Sequence, residues 1–339
     1  MSEAAPVSSE AADAHRTADG RFRNPWLSGR PRRFGGFLRW ALLERPFQRL
    51  PSDPDPSVFP LAEPNVSYPR ATRGELSVTW VGHSTTLLQL GQWNILTDPI
   101  WSERASPVAF AGPRRWVAPG LSFDDLPDID VVLVSHNHYD HLDDRTVRDL
   151  AERSPEAAWC LPLGLEEFVR QRGVRRIHQL DWWDEVQLDG LRVACAAAQH
   201  FSGRSLRDRN ATLWCGWVLS DGKYSVYYAG DTGYHPEFGR IGEAFGPFDI
   251  AILPVGAYQP QWFMSPAHLN PEEAVQAFGK VSANGRRGKC VMVPVHFGTF
   301  KLSDEPMDEP PRRTREAWLR AGLPLENLWL LAHGETRRL

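Results

Sequence analysis

The sequence predicts a mixed α/β domain (α/β, α+β class) in which two β-sheets pack together and helices flank them. Three observations carry this. Short apolar runs follow one another in both halves of the chain, helix-like stretches separate only some of them, and several runs end on a histidine or an aspartate.

The elements follow in order from Gly74. "LSVTWVGHSTTLLQL" and "QWNILTDP" read as a meander with a turn at Gly91. "DIDVVLV", Asp128 to Val134, is an apolar run of the buried-strand kind, and a helix follows near Asp144 to Arg153. Asp143 and Asp144 are placed to cap that helix. "AAWCLP", a helix around Leu165 to Arg172, and "RRIHQL" continue the alternation. "DEVQLDGLRVACAAAQH", "ATLWCGWVLS" and "KYSVYYAGD" read as hairpin-like strands. "PFDIAILPVG", a helix opened by "NPEEAVQAF", the strand "KCVMVPVH", a helix near Thr314 to Arg320 and a strand in "NLWLLAHG" complete the set.

Ahead of these lie two different segments. Residues 1–20 are rich in Ala, Ser, Glu and Asp and are expected to be a disordered tail. Residues 21–73 are expected to form an arm and Pro-rich linker wrapping a domain of residues 74–339. Between Arg21 and Leu50 eight arginines face the single Glu44, and Phe37, Leu38, Trp40, Ala41, Leu42 and Leu43 form a short apolar helix that Pro46 interrupts. Basic and apolar residues so interleaved suit peripheral membrane contact through residues 21–50. An arm that packs its aromatics on its own domain is the alternative, and the sequence leaves both open.

Composition narrows the class. With 339 residues, 42% hydrophobic, 24% charged and net charge −4, the chain is long enough for a large core and too acidic to advertise a nucleic-acid face. Fourteen tryptophans are most simply core residues. Cys160, Cys195, Cys215 and Cys290 lie far apart with no C-x-x-C, which fits buried thiols in a reducing compartment. No basic n-region precedes an apolar stretch and no apolar run approaches ~18 residues, so the expected location is cytoplasmic, with any membrane contact peripheral. Of closed assemblies a homodimer is the commonest.

Chemistry concentrates in "SHNHYDHLD", Ser135 to Asp143, where three histidines and two aspartates occupy nine residues at a strand end. In H-x-H, His136 and His138 leave the strand on one side, so both imidazoles can reach one cation. Asp140 and His141 follow as a mixed oxygen and nitrogen pair, a borderline-soft donor set that suits zinc, with Mn or Fe as alternatives. His200, Asp231 and His296 each end a later apolar run, the same placement as His136. An isolated histidine on a core strand is usually structural; four such strand ends converging on one rim make a site. His83 in "VGHST" and Asp98 in "LTDP" fall at strand turns, where they either orient metal ligands or merely stabilise the turns. His15, His178, His235 and His333 are not expected to be ligands.

These motifs resemble the metallo-β-lactamase-fold hydrolases, whose signature is H-x-H-x-D-H with distal His, Asp and His. "RFRNPW", "TWVGHST", "LTDPIWSERASP", "GPRRW", "SHNHYDHLD", "LDWWDE", "AGDTGYHPEF", "GPFDIAILPVGAYQPQWFM", "HLNPEEAV", "HFGTF" and "HGE", in that order, resemble more narrowly the N-acylphosphatidylethanolamine-hydrolysing phospholipase D family. The resemblance implies an αββα four-layer sandwich of the metallo-β-lactamase type with two zincs at one edge. It places His136, His138 and His200 on one zinc, Asp140, His141 and His296 on the other, and Asp231 between them. It makes Asp140, Asp231 and His268 the catalytic positions, with His268 beside the reacting phosphate, and adds Tyr258 in "GAYQPQWFM" as a lower-ranked substrate contact. The chain departs from the animal enzymes before His268, carrying Pro266 and Ala267 where they carry an aromatic residue and a glutamine. The implied reaction is attack of a metal-activated hydroxide on the phosphorus of an N-acyl phosphatidylethanolamine, releasing an N-acylethanolamine and phosphatidic acid. Alternatives are a lactonase or phosphodiesterase for a soluble metabolite and, outside enzymes, a membrane-peripheral protein with a structural metal.

Overall fold

The computed structural model describes residues 14–27, 36, 39–47, 50, 52–205, 207–283 and 290–339. Two sheets form the body. In the first, β1 (Leu76–Gly82), β2 (Thr85–Leu90) and β3 (Trp93–Thr97) make an antiparallel meander, and β4 (Val131–Leu133), β5 (Ala158–Pro162) and β6 (Arg176–Leu180) continue it in parallel. In the second, β7 (Glu185–Leu188), β8 (Leu191–Ala196), β9 (Gly216–Ser220) and β10 (Ser225–Tyr228) are antiparallel, and β11 (Ile250–Pro254) and β12 (Val291–Val295) run parallel to β10. β13 (Thr336–Arg338) returns to close the first sheet against β1.

Alternation decides which face each residue takes. Val131 and Leu133 enter the core between the sheets, whereas Val132, one residue out of phase, packs on the outer face. There it meets Val147 and Leu150 of α1 (Asp144–Arg153), and Val169 of α2 (Glu166–Arg170) lies in the same cluster. α3 (Phe238–Phe245), α5 (Pro271–Val281) and α6 (Glu309–Arg320) cover the other sheet through Phe238, Ala274 and Trp318; α4 (Gln261–Met264) is a single turn. Helix, sheet, sheet, helix is therefore the order of layers, as the resemblance implied. Asp143 caps α1 by accepting from the backbone N–H of Thr146, while Asp144 is its first helical residue.

Several expectations need correction. "NLWLLAHG" is not a strand: Leu328 makes only an isolated bridge to Met292, and the closing strand lies further on at β13. The helices α3 and α4 were not expected. Residues 14–20 are not a loose tail. His15 is buried with its ring 4.6 Å from that of Trp182 and its Nε2 2.7 Å from Asp181, and Arg16 bridges Phe22. Residues 1–13, Phe37 and Leu38 lie outside the described residues. The apolar segment of the arm is a π-helical turn, Arg39–Glu44, followed by a 3-10 turn through Phe47. Among the described residues no helix is long and apolar enough to cross a membrane.

Candidate metal centre

Six strand ends point at one edge of the sandwich. β1, β3 and β4 of the first sheet end at His83, Asp98 and the His136–His141 loop; β8, β10 and β12 of the second end at His200, Asp231 and His296. Three of these residues sit in the left-handed region, which costs a non-glycine residue roughly 1–3 kcal/mol and recurs at functional sites. They are His83 (φ 54°), Asp98 (φ 34°) and His296 (φ 66°). Backbone hydrogen bonds hold them there. His296 donates to the carbonyl of His83 at 3.0 Å, and Asp98 donates to the carbonyl of Leu133 at 2.8 Å. The amide of His83 donates to Thr299 Oγ1 at 2.6 Å. Gly230, just before Asp231, has no room for a side chain, since a Cβ there would strike Ser135 and the carbonyl of Cys215.

The donor atoms fall into two groups joined by one carboxylate. His136 Nε2 and His138 Nδ1 lie 2.8 Å apart, and His200 Nε2 is 3.2 Å from the same His138 nitrogen. On the other side, Asp140 Oδ2 lies 3.3 Å from His141 Nε2 and 3.6 Å from His296 Nε2. Asp231 Oδ2 stands between them, 3.2 Å from His141 Nε2, 3.0 Å from His296 Nε2 and 3.9 Å from His200 Nε2. His268 Nδ1 approaches the same oxygen at 3.7 Å.

The far side of each ring is held as well. Asp98 accepts from His141 Nδ1 at 2.6 Å, from the backbone N–H of Ser135 at 2.6 Å, from Ser135 Oγ at 2.5 Å and from the Tyr228 hydroxyl. His200 Nδ1 donates to the carbonyl of Ala267 at 2.8 Å, and His83 Nε2 lies 2.8 Å from Asp140 Oδ2. Histidines that bind metals are oriented by bonds of this kind through their second nitrogen. Asp98 and His83 thus bond side chains of the cluster, His141 and Asp140, as well as standing at turns.

Electrostatics make a demand for positive charge. Burial holds His136 and His268 well below the usual histidine range, takes His138 with the help of His200 to about 3, and takes His200 to about 4. Their ring nitrogens keep free lone pairs. Burial also opposes charge on His296 and His141, but Asp231 and Asp140 override it, raising His296 to about 9 and His141 well above normal. Both carboxylates resist burial in turn and are held ionised, Asp140 chiefly by His141 and Asp231 by His141 and His296. At the centre, His141 Nε2, His296 Nε2, His268 Nδ1 and Asp231 Oδ1 are buried without a hydrogen-bond partner. Orphaned polar atoms are costly unless something else satisfies them. Sets of three or four of these donors lie mutually within 4.8 Å, a spacing one ion can bridge. The residues fit divalent cations.

The structure brings together His136, His138, Asp140, His141, His200, Asp231, His268 and His296, with His83 and Asp98 behind them. It does not bring in Tyr258, which is buried with its hydroxyl 2.6 Å from Glu309 of α6. His15, His235 and His333 pack elsewhere, on Trp182, Phe238 and Trp80. Sequence reasoning missed Ser135, Tyr228 and the Ala267 carbonyl, and also Trp26, whose indole donates to Gln199 Oε1 at 2.5 Å beside His200. Ser135 alone carried a signal, its position directly before the H-x-H motif.

Residues 93–297 match a family described as the beta-lactamase superfamily domain. An uncharacterized protein of Mycobacterium tuberculosis is 44% identical over 278 residues, covering 81% of this chain and 71% of its own. N-acyl-phosphatidylethanolamine-hydrolyzing phospholipase D 1 of Caenorhabditis elegans is 36% identical over 298 residues, covering 83% of this chain and 81% of its own. Among solved structures Igni18, a metallo hydrolase from the archaeon Ignicoccus hospitalis, superposes with a TM-score of 0.59 at 23% identity over 78% of this chain and 98% of its own, a likeness of fold.

Proposed function

We propose that this chain, which belongs to the metallo-β-lactamase-fold hydrolases of the beta-lactamase superfamily and within them to the N-acyl-phosphatidylethanolamine-hydrolysing phospholipase D family, cleaves the phosphodiester of an N-acyl phosphatidylethanolamine. It is a metal-dependent hydrolase; the lipid substrate, the metal and the residue roles are the proposal. The observation that carries the substrate is the C. elegans relative, named for that reaction and alike over four-fifths of both chains.

His136, His138 and His200 would hold one zinc, Asp140, His141 and His296 a second, with the Asp231 carboxylate shared between them. Such a pair of cations supplies Lewis acidity toward phosphoryl oxygens and acidifies water to near neutral pH. The chain's own groups do the rest. Asp98 fixes the His141 tautomer by accepting a hydrogen bond from its Nδ1–H, so Nε2 faces the centre. The Ala267 carbonyl does the same for His200, which ties the His268 loop to a ligand. His268 is neutral and slightly exposed, and it donates a hydrogen bond to a phosphoryl or leaving oxygen without adding charge. Pro266 and Ala267 serve through their carbonyls, which accept from Gln199 and His200. The residue type at these two positions therefore matters less to the metal centre than their backbone path.

The test is a substrate panel on zinc-loaded protein beside Asp231→Asn. It contains an N-acyl phosphatidylethanolamine, unacylated phosphatidylethanolamine, bis(p-nitrophenyl) phosphate and a lactone, with products read by mass spectrometry. Release of N-acylethanolamine by the wild type alone is expected. Turnover of the soluble diester or the lactone with the N-acyl lipid left intact would remove the lipid substrate and keep the hydrolase.

A further inference from the structure

We infer that Gln199 and Trp26 are positioning residues for His268: a relay through the Gln199 carboxamide ties the Trp26 indole to the Pro266 carbonyl and so sets where the His268 ring stands against Asp231. The inference rests on the reading that His268 assists cleavage of a phosphodiester.

Gln199 is buried one residue before His200, and both ends of its side chain are committed. Its Oε1 accepts from Trp26 Nε1 at 2.5 Å, and its Nε2 donates to the carbonyl of Pro266 at 3.2 Å. An indole N–H only donates and a carbonyl only accepts, so a single orientation of the carboxamide serves both. The backbone of Gln199 is engaged as well. Its amide donates to Thr232 Oγ1 at 2.9 Å, and its carbonyl accepts from the amide of Gly233 at 2.8 Å.

Three segments therefore meet at this side chain. A Cβ on Gly233 would lie 2.6 Å from Gln199 Nε2 and 2.7 Å from the carbonyl oxygen of Ser265, so only glycine lets them close up. Each segment carries a candidate donor: His200 follows Gln199, Asp231 precedes Thr232, and His268 stands two residues after Pro266. Donor atoms of these three lie within 4.8 Å of one another, and the His200 and His268 rings are 5.0 Å apart.

The loop before His268 is curled by its own bonds, since the amides of Ala267 and His268 both donate to the Met264 carbonyl, at 2.8 and 3.0 Å. Those bonds fix its shape and not its place. Place comes from outside, through Gln199 on Pro266 and His200 on Ala267. The second of these moves with the His200 ring, so Gln199 is the hold that does not depend on a candidate ligand. The outer end of the relay is fixed in turn. The Trp26 ring stacks on Trp182 at 5.5 Å and on His235 at 5.2 Å. Asn24 donates to the carbonyl of His200 at 2.8 Å, and the amide of Phe22 donates to the carbonyl of Asn210 at 2.9 Å. Alternate residues from Phe22 thus bind the segment that carries His200, and Trp26 reaches past it, through Gln199, to the His268 loop. A displacement of about 1 Å passed to a reacting group from a distance can cost about 10²-fold in rate.

Two variants of the full-length, zinc-loaded protein test the relay. Gln199→Met keeps the side-chain length without either polar group; Trp26→Phe keeps a stacking ring without the N–H. Hydrogen exchange read by mass spectrometry should be about fivefold or more faster in peptides holding Ala267 and His268, with peptides of β5 unchanged. Zinc content should equal the wild type's. On bis(p-nitrophenyl) phosphate, kcat should fall about tenfold with KM within about twofold. Trp26→Phe removes one N–H from a half-buried ring, so it decides the matter if Gln199→Met does not fold. Exchange at Ala267 and His268 equal to the wild type's would overturn the inference, as would β5 exchange that rises as much as the loop's. Loss of zinc together with rate would overturn it too, by placing the effect on His200, and so would a loosened loop with undiminished kcat. Wild type that cuts no phosphodiester would refute the role read for His268, and the exchange rates alone would then decide whether the relay holds the loop.

Discussion

Asp98→Asn separates the geometry of the centre from the ligands themselves. The carboxylate is fully buried and takes four donors: one oxygen receives the backbone N–H of Ser135, the other receives Ser135 Oγ, His141 Nδ1 and the Tyr228 hydroxyl. An asparagine oxygen set in place of the second keeps three bonds but makes them neutral, at about 1 kcal/mol lost in each. Its NH₂ then faces the Ser135 N–H, leaving a buried donor unsatisfied for about 1–3 kcal/mol more. The total is roughly 4–6 kcal/mol, shared between folding and metal binding. The part borne by His141, whose tautomer is no longer dictated, should appear as a roughly 10–100-fold loss of metal affinity. Competition for zinc against a chromophoric chelator measures that part, and urea unfolding of the stripped protein measures the rest. A folded asparagine variant that binds zinc within about twofold of wild type would refute the claim that Asp98 sets the His141 nitrogen.

Asp231→Asn should lower the metal content read by plasma mass spectrometry as well as the activity, because the Asp231 carboxylate touches both donor groups; full metal content would place the bridge elsewhere. His235 is buried with neither ring nitrogen bonded, and burial takes it down to about 3. Its folded value is depressed, so stability is full above the unfolded value of about 6.5 and falls as pH drops toward 3. By pH 5 the loss is roughly 2 kcal/mol, and His235→Phe should remove that much of the difference between urea unfolding at pH 7.5 and pH 5; an unchanged difference would refute it. Gly256→Ala should destabilise the fold by about 3 kcal/mol or more, because a Cβ there collides with the carbonyl of His296; a melting temperature equal to the wild type's would show that the loop yields freely. The four cysteines are buried and free, with thiols raised by burial, Cys290 to about 12, so a thiol reagent should label none in the native protein and all after unfolding.

What could be read from the sequence was whatever local pattern controls. β4 and β12 are continuous apolar runs, β8 and β10 become so after Arg192 and Ser225, and a polar residue at the end of such a run has to leave the core, so His136, His200, Asp231 and His296 were visible as a set. α3 was hidden by its glycines. Gly242 breaks the helical pattern, yet a Cβ there would meet the carbonyl of Val281, so the glycine is what lets α3 lie close to α5. "NLWLLAHG" has the composition of a strand but no ladder partner, whereas "TRR" lacks that composition and pairs with β1. The packing of His15 depends on Asp181, a long-range pairing that no local pattern predicts. Tyr258 sits within a motif that looks functional, but its direction is set by Glu309.

The deeper reason the site could be only half read is that it belongs to neither sheet alone. Asp98 and the His136–His141 loop come from the first sheet, His200, Asp231 and His296 from the second. Beneath the centre the sheets are joined by polar bonds that cross the core: Tyr228 to Asp98, Trp217 Nε1 to the Val134 carbonyl at 3.0 Å, and the Cys215 amide to the Ser135 carbonyl at 2.9 Å. In each of these bonds one partner, Asp98, Val134 or Ser135, lies within two residues of the end of β3 or β4, next to a candidate donor or a group bonded to one. Bonds that close the sandwich therefore also aim the candidate ligands. Cations held between the two sets would oppose separation of the sheets at that edge, so binding energy is returned to the fold where its buried charges are most crowded.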